Sequence, residues 1–147
     1  MSKQMMFDAN AAVEMKKGLD QLARTVAVTM GPTGRHVSVS KEIDLPTPFQ
    51  NMGAKMVNEV ARKTAYKAGD GTTTATVLAQ AIFEQGLRHV TSGANPTVLQ
   101  RGILAAADVA ANAIRDAATK CKGKDDIKKV ATISANNDAQ IGELIAD

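Results

Sequence analysis

Apolar residues recur every three to four positions along most of the chain, a spacing that predicts amphipathic helices. In the first such run they are Ala12, Met15, Leu19, Leu22, Ala23 and Val26. Asp8 is placed to cap this helix, and Gly31-Pro32 ends the pattern after Thr29. We therefore expect a helix from Asp8 to about Thr29 with one buried face.

Two further helices follow in the middle of the chain. Thr47-Pro48 supplies a capping hydroxyl and a proline suited to the first helical position, which predicts a helix as far as about Ala68. The side chains expected on its buried stripe are Phe49, Met52, Met56, Val57 and Val60. After Gly69 a third helix is predicted to run to about His89, and the residues expected along one side of it are Ala75, Leu78, Ala79, Ile82 and Phe83.

The rest of the chain is also predicted to be helical. Asn95 is placed to cap a fourth helix, whose expected inward residues are Leu99, Ile103, Ala106, Ala110 and Ile114. A charged segment from Ala117 to Asp126 is a candidate domain boundary, and two short helical pieces follow, Asp126 to Val130 and Asp138 to Ala146. Because His36 to Ser40 alternate in polarity, the predicted fold is mainly α with a minor short-strand element.

Composition narrows the class of protein. Aromatic residues make up 3% of the 147 residues and Trp is absent, so the core must come from Ala, Val, Ile, Leu and Met, which favours helices. The net charge of +3 is mild and mixed along the chain, which argues against a nucleic-acid surface. Apolar runs are too short to span a membrane. The lone Cys121 fits a reducing compartment, so we expect a cytoplasmic protein or a processed organellar form.

The candidate chemistry lies in the segment from Gly69 to Thr76, a glycine-bracketed aspartate followed by hydroxyl side chains at the start of a helix. A helix N-terminus offers unpaired backbone N–H groups and partial positive charge, which suit a phosphate. Asp70 would repel that phosphate unless a divalent cation such as magnesium lay between them. The alternative is that Asp70 caps the helix and the glycines make a turn. The segment has no Walker-type Gly-Lys-Ser/Thr ending.

Several segments, taken together and in order, resemble the group I, GroEL-type chaperonins. The longest runs from Ala68 to Ile82 and is similar to that family's phosphate-binding segment. The others are Thr29 to Arg35, Asn51 to Ala54, Asn95-Pro96 with Arg101 to Ile103, and Thr132 to Asn136. The resemblance covers nearly the whole chain.

This resemblance implies an ATP site and a domain plan. The loop residues that would grip ATP are Thr29, Met30, Gly31 and Pro32 on one side and Asp70, Gly71, Thr72, Thr73 and Thr74 on the other. Asp70 would hold Mg²⁺ against the phosphates. Residues 1–116 would form the N-terminal part of an equatorial domain within a multihelical bundle, and residues 117–147 would start the intermediate domain. In the family, ATP binding and hydrolysis time the capture and release of unfolded client proteins.

The chain also departs from the family pattern. After Val37 it lacks a hairpin of roughly sixteen residues, about what two short strands and a turn occupy, which in the family carries a Lys-Asp-Gly near the phosphates. It ends at Asp147, before the family's apical domain and the returning half of the equatorial domain. We therefore assign no catalytic residue and expect weak ATP binding without turnover.

The resemblance implies partners as well. A homo-oligomer is expected, whereas client proteins and a co-chaperonin belong to a complete subunit; nucleic acid and membrane are not expected partners. The alternative is a non-catalytic helical structural or interaction module that keeps a vestigial nucleotide loop.

Overall fold

The structure is a computed structural model that describes residues 5–30 and 43–147. The helices within these residues are α1 (Asp8–Ala27), α2 (Pro48–Ala68), α3 (Thr72–Thr91), α4 (Pro96–Ala117), α5 (Lys124–Ser134) and α6 (Ala139–Ala146). The mainly α fold is thus confirmed, and no strand occurs in the described ranges. The strand predicted for His36 to Ser40 lies outside them.

The chain divides into two compact units, Met1–Leu99 and Gln100–Asp147. The charged segment predicted as a domain boundary begins where α4 ends, at Ala117, and no helix resumes until Lys124. Among the helices of the described residues, none is both long enough and apolar enough to cross a membrane.

In the first unit, α1 and α2 approach each other through their backbones. Gly18 and Gly53 are both buried at this crossing. A Cβ atom on Gly18 would overlap the main-chain carbonyl of Gln50, and one on Gly53 would overlap that of Met15. Any larger residue at either glycine would push the two helices apart, because packed interiors leave no free volume for it.

The hydrophobic core of the first unit lies next to this crossing. Its buried cluster consists of Leu19, Leu22 and Val26 from α1 with Ala54 and Val57 from α2, and Ile43, Leu45 and Phe83 pack against it. The predicted buried face of α1 is confirmed at Leu19, Leu22, Ala23 and Val26. The predicted bounds of this helix were less accurate, since Phe7 holds the N-cap position and the helix ends at Ala27.

The predicted buried stripe of α2 is largely wrong. Met52 and Met56 are half exposed and Val60 is also exposed, whereas the residues buried in this helix are Gly53, Ala54, Val57, Asn58 and Ala61. The close backbone approach of α1 explains the difference, since such an interface accepts small residues and turns the methionines outward. The prediction was wrong because it assigned large apolar side chains to an interface that accepts small ones.

The predicted face of α3 also differs from the structure. Leu78 and Ile82 are exposed, whereas Thr76 is almost completely buried. Burial of its hydroxyl is tolerated because it donates a hydrogen bond to the Thr72 carbonyl at 2.9 Å. The apolar pattern of α3 did not include Thr76, because its side chain is polar.

In the second unit, α5 and α6 form a helical hairpin. Its turn places Asn136 and Asn137 at positive φ, and the Asp138 carboxylate accepts hydrogen bonds from the amides of Gln140 and Ile141, which caps α6. Lys128 pairs with Glu143 across the hairpin. The buried residues of these two helices are small, Ala131 and Gly142. The hairpin therefore depends on backbone caps and close contact more than on buried apolar volume.

No residue of α4 is buried. The predicted Asn95 cap is confirmed, because its side-chain oxygen accepts hydrogen bonds from the amides of Thr97 and Val98. The predicted inward face is wrong for this chain, as Ile114 at 71% exposure illustrates. The amphipathic pattern is present, but none of the predicted inward residues is buried.

Candidate functional site

The turn between α2 and α3 is built by Gly69, Asp70 and Gly71. Both glycines adopt the left-handed backbone conformation, with φ of 76° at Gly69 and 82° at Gly71, where an L side chain is strained. A Cβ atom added to either glycine would meet nothing within 4 Å. The backbone angle rather than crowding therefore requires glycine, and the turn remains open to a ligand.

Asp70 is exposed within this turn and does not cap the helix in the usual way. Gly71 holds the N-cap position of α3, and no side chain caps that N-terminus. The Asp70 Oδ1 atom accepts a hydrogen bond from the Gly71 amide at 2.6 Å. Among the described residues, Oδ2 has no hydrogen-bond partner, which leaves one carboxylate oxygen for a cation.

The first turn of α3 carries Thr72, Thr73 and Thr74. The first backbone bond of the helix runs from the Ala75 amide to the Gly71 carbonyl at 2.9 Å, so the amides of these threonines have no partner inside the helix. The hydroxyls of Thr72 and Thr74 make no hydrogen bond within the described part of the chain. Amides, hydroxyls and the helix dipole thus together present donors and partial positive charge to an anion.

A hydroxyl contact joins the end of α1 to the first turn of α3. The Thr29 and Thr73 Oγ1 atoms lie 3.0 Å apart, and the Thr29 hydroxyl also donates to the Val26 carbonyl at 2.7 Å. A hydroxyl has a single proton, so Thr73 must be the donor to Thr29. This contact brings Thr29 of the first predicted loop to Thr73 of the second.

The remaining predicted site residues of the first loop are placed only in part. Met30 follows Thr29 and is exposed. Gly31 and Pro32, like Arg35, lie outside the described residues. The structure thus brings Thr29 to Thr73 and leaves the rest of that loop as a prediction.

Other polar contacts between α1 and α3 were missed by sequence analysis. Gln80 donates a hydrogen bond from Nε2 to Asp20 Oδ1 at 2.9 Å, and Lys16 Nζ lies 2.5 Å from Asp20 Oδ2 and 3.6 Å from Glu84 Oε1. Partial burial by itself would raise the pKa of Asp20, but the hydrogen bonds from Lys16 and Gln80 outweigh it and lower this pKa. The available signal was a pair of polar residues one turn apart on each helix, Lys16 with Asp20 and Gln80 with Glu84.

The donor set at the turn can be compared with what magnesium needs. Magnesium bound with a nucleotide commonly uses one or two carboxylates and takes its other ligands from phosphate oxygens and water. Asp70 with a free Oδ2 atom beside an unpaired helix N-terminus fits that arrangement. Within residues 5–30 and 43–147 there is no group of three or more His, Cys, Asp or Glu that could hold a metal ion unaided.

Residues 22–147 match the sequence model of the TCP-1/cpn60 chaperonin family. The match begins within α1 and includes both predicted loops and helices α2 to α6.

Proposed function

Because the chain belongs to the TCP-1/cpn60 chaperonin family, we propose that it takes part in protein folding by contributing two loops to an ATP–magnesium site. Family membership supports a chaperonin-type role in general. The finer proposal concerns what the residues around Thr29 and Asp70 bind.

The observation that carries this proposal is the contact between the Thr29 and Thr73 hydroxyls at 3.0 Å. It brings Thr29, two residues past the end of α1, to the first turn of α3, whose N-terminus has no side-chain cap and where the family resemblance expects phosphate. A phosphate bound there would accept hydrogen bonds from the amides and hydroxyls of Thr72, Thr73 and Thr74. Gly71 allows the ligand to approach the backbone closely, since it has no Cβ and the space around it is open.

Asp70 is proposed as the magnesium ligand through its Oδ2 atom. Magnesium, when bound, neutralises phosphate charge. The hydrogen bond from the Gly71 amide to Oδ1 orients the carboxylate and leaves Oδ2 directed away from that amide. Thr29 and Met30, with Gly31 and Pro32 by resemblance, would line the opposite side of the nucleotide. The proposal covers binding, and turnover by this chain is not expected.

The domain plan and the partners are part of the same proposal. Residues 1–116 are proposed as the N-terminal part of an equatorial domain and residues 117–147 as the start of an intermediate domain. Unfolded clients and a co-chaperonin are proposed partners in the context of a complete subunit. Self-association is supported by exposed apolar side chains on α4, namely Leu104, Val109 and Ile114.

The test is isothermal titration calorimetry of ATP with and without magnesium, with phosphate release followed in the same samples. We expect magnesium-dependent binding by the wild-type chain and a loss of affinity of at least about tenfold in Asp70→Ala, because a charged ligand to the metal is removed. Asp108→Ala is the matched control, an exposed aspartate on α4, and should bind like the wild type. Phosphate release should stay at the level of the blank.

A wild-type chain that is folded by circular dichroism and binds no ATP would overturn the proposal. Equal losses in Asp70→Ala and Asp108→Ala would overturn the metal role of Asp70.

The second candidate is a helical interaction module without nucleotide binding, and the exposed apolar side chains of α4 favour it. Sedimentation equilibrium on the same preparation, interpreted together with the calorimetry, discriminates between the two. A defined oligomer whose calorimetric trace is flat with ATP would support the interaction module.

A further inference from the structure

Three polar contacts join α1 and the turn that directly follows it to α3, which packs beside α1. They are Lys16–Glu84 at 3.6 Å, Asp20–Gln80 at 2.9 Å and Thr29–Thr73 at 3.0 Å. We call these three pairs the polar ladder. In successive pairs the residue numbers increase along α1 and decrease along α3, so the two helices are antiparallel. Each pair fixes the same register, that is, the same alignment of α1 along α3.

The register matters because the last rung lies at the candidate site. A slip of one helical turn would move α1 by about 5.4 Å along α3. Thr29 would then lie beyond hydrogen-bond reach of Thr73. The contact between these two hydroxyls therefore depends on the relative position of the two helices along their axes.

Apolar contact alone is a weak constraint on that position. On α3, Phe83 packs against the core cluster, whereas Leu78 and Ile82 are exposed. Hydrophobic contact is also non-directional and tolerates sliding, whereas a hydrogen bond weakens steeply with distance and angle. The side chain of Asp20 is only 18% exposed, so its bonds to Lys16 and Gln80 are shielded from competing water.

We propose that Asp20 and Gln80 are positioning residues: their hydrogen bond sets the register of α1 on α3 and so holds Thr29, two residues past the end of α1, against the first turn of α3. This inference rests on the proposed function for its meaning, but the register itself is a property of the chain without ligand. Lys16 supports the Asp20–Gln80 pair, because it contacts both Asp20 on α1 and Glu84 on α3.

The chain contains a matched control between α1 and α2. Gln50 donates from Nε2 to Glu14 Oε2 at 2.7 Å, which is also a bond from a part-buried glutamine to a carboxylate of α1. This bond does not involve α3. Gln80→Met and Gln50→Met each remove the amide and keep a side chain of similar length, so the two variants differ chiefly in which helix loses its bond to α1.

The ligand-free test is the rate of disulfide formation between cysteines placed at Thr29 and Thr73. The background carries Cys121→Ser, because Cys121 is an exposed free thiol that would compete. Starting from Thr29→Cys/Thr73→Cys, we add either Gln80→Met or Gln50→Met and compare rates at equal fractions folded, read by circular dichroism.

We expect Gln80→Met to slow disulfide formation about fivefold, the effect of one cross-helix hydrogen bond, and Gln50→Met to leave the rate within about twofold. Asp20→Ala removes the acceptor for Gln80 and should slow disulfide formation at least as much as Gln80→Met does. Equal rates in the two glutamine variants, or an unchanged rate in Asp20→Ala, would overturn the proposal.

A nucleotide measurement connects the register to binding. In the chain with native threonines, Gln80→Met should weaken magnesium–ATP binding about fivefold, and Gln50→Met should leave it unchanged. Unchanged affinity in Gln80→Met would overturn the positioning role even if the disulfide slowed. A wild-type chain that binds no ATP would refute the proposed function, while the disulfide rates would still decide whether the ladder sets the register.

Discussion

The three helices α1, α2 and α3 differ from the hairpin of α5 and α6 in how far they bury large apolar side chains. In the first, Leu22 is 1% exposed within a cluster of buried aliphatic side chains, whereas in the second Leu144 is 79% exposed. Yet both helical sets have amphipathic sequences. A hydrophobic pattern therefore indicates which residues need a partner, and only the fold shows whether this chain supplies it.

The two units also differ in whether they can position the side chains of a binding site. The buried cluster of the first unit lies beside the polar ladder. It packs against α3, on which Thr73 lies, and includes residues of α1, which Thr29 closely follows. The hairpin depends instead on the Asp138 cap and on the close contact of Gly142 with Thr132. A site that needs two helices at a defined separation is accordingly expected in the first unit.

The largest expected effect comes from removing buried volume in the first unit. Leu22→Ala should lower the free energy of unfolding by about 3–4 kcal/mol, through lost transfer energy and the cavity left behind. Leu144→Ala in the hairpin should change it by less than about 0.5 kcal/mol, because that side chain is already exposed. Urea unfolding followed by circular dichroism measures both. Similar losses in the two variants would erase the distinction between the units.

A smaller effect is expected from a glycine at the α1–α2 crossing. Gly53→Ala should destabilise the chain by about 2–3 kcal/mol, because its Cβ would overlap the Met15 carbonyl and force the helices apart. In Gly102→Ala on α4 the new Cβ meets nothing within 4 Å, and the better helix propensity of Ala should stabilise by about 0.5–1 kcal/mol. The same urea experiment measures both signs. A stabilising Gly53→Ala would show that the close crossing is not maintained in solution.

The smallest effect expected is a difference in pH dependence between Asp20 in the first unit and Asp126 in the second. The pKa of each aspartate is lowered from its usual 3.8. At Asp20 partial burial opposes this shift, but hydrogen bonds from Lys16 and Gln80 outweigh it. At Asp126 the hydrogen bond from the Lys122 amide lowers the pKa. A carboxylate with a lowered folded-state pKa stabilises the fold above its unfolded pKa, and this contribution is lost as the pH falls through the folded value.

Asp20→Asn should therefore flatten the loss of stability below about pH 4, the unfolded pKa of an aspartate, more than Asp126→Asn does, because Asp20 links two helices and Asp126 is at an exposed helix start. Urea midpoints between neutral and acidic pH measure the slopes. An unchanged slope in Asp20→Asn would show that its hydrogen bonds contribute no more to the folded state than surface contacts do.

The helices and the site turn were predictable from the sequence because their causes are local. Periodic apolar residues, the Asn95 cap and a proline after Thr47 define helices within a few consecutive positions. The glycines at 69 and 71 predicted a special turn, and both do adopt positive φ. The family resemblance needed no structure either, and the family match over residues 22–147 confirms it.

Only the tertiary structure decided which faces are buried and which site residues meet. Small residues replace the methionines of α2 at the core because α1 approaches its backbone, and Thr76 is buried because α3 turns that side inward. The bonds from Thr29 to Thr73 and from Asp20 to Gln80 join residues far apart in the chain. Helix formation depends on neighbours in sequence, whereas burial and cross-helix hydrogen bonds depend on how whole helices pack, which no local pattern specifies.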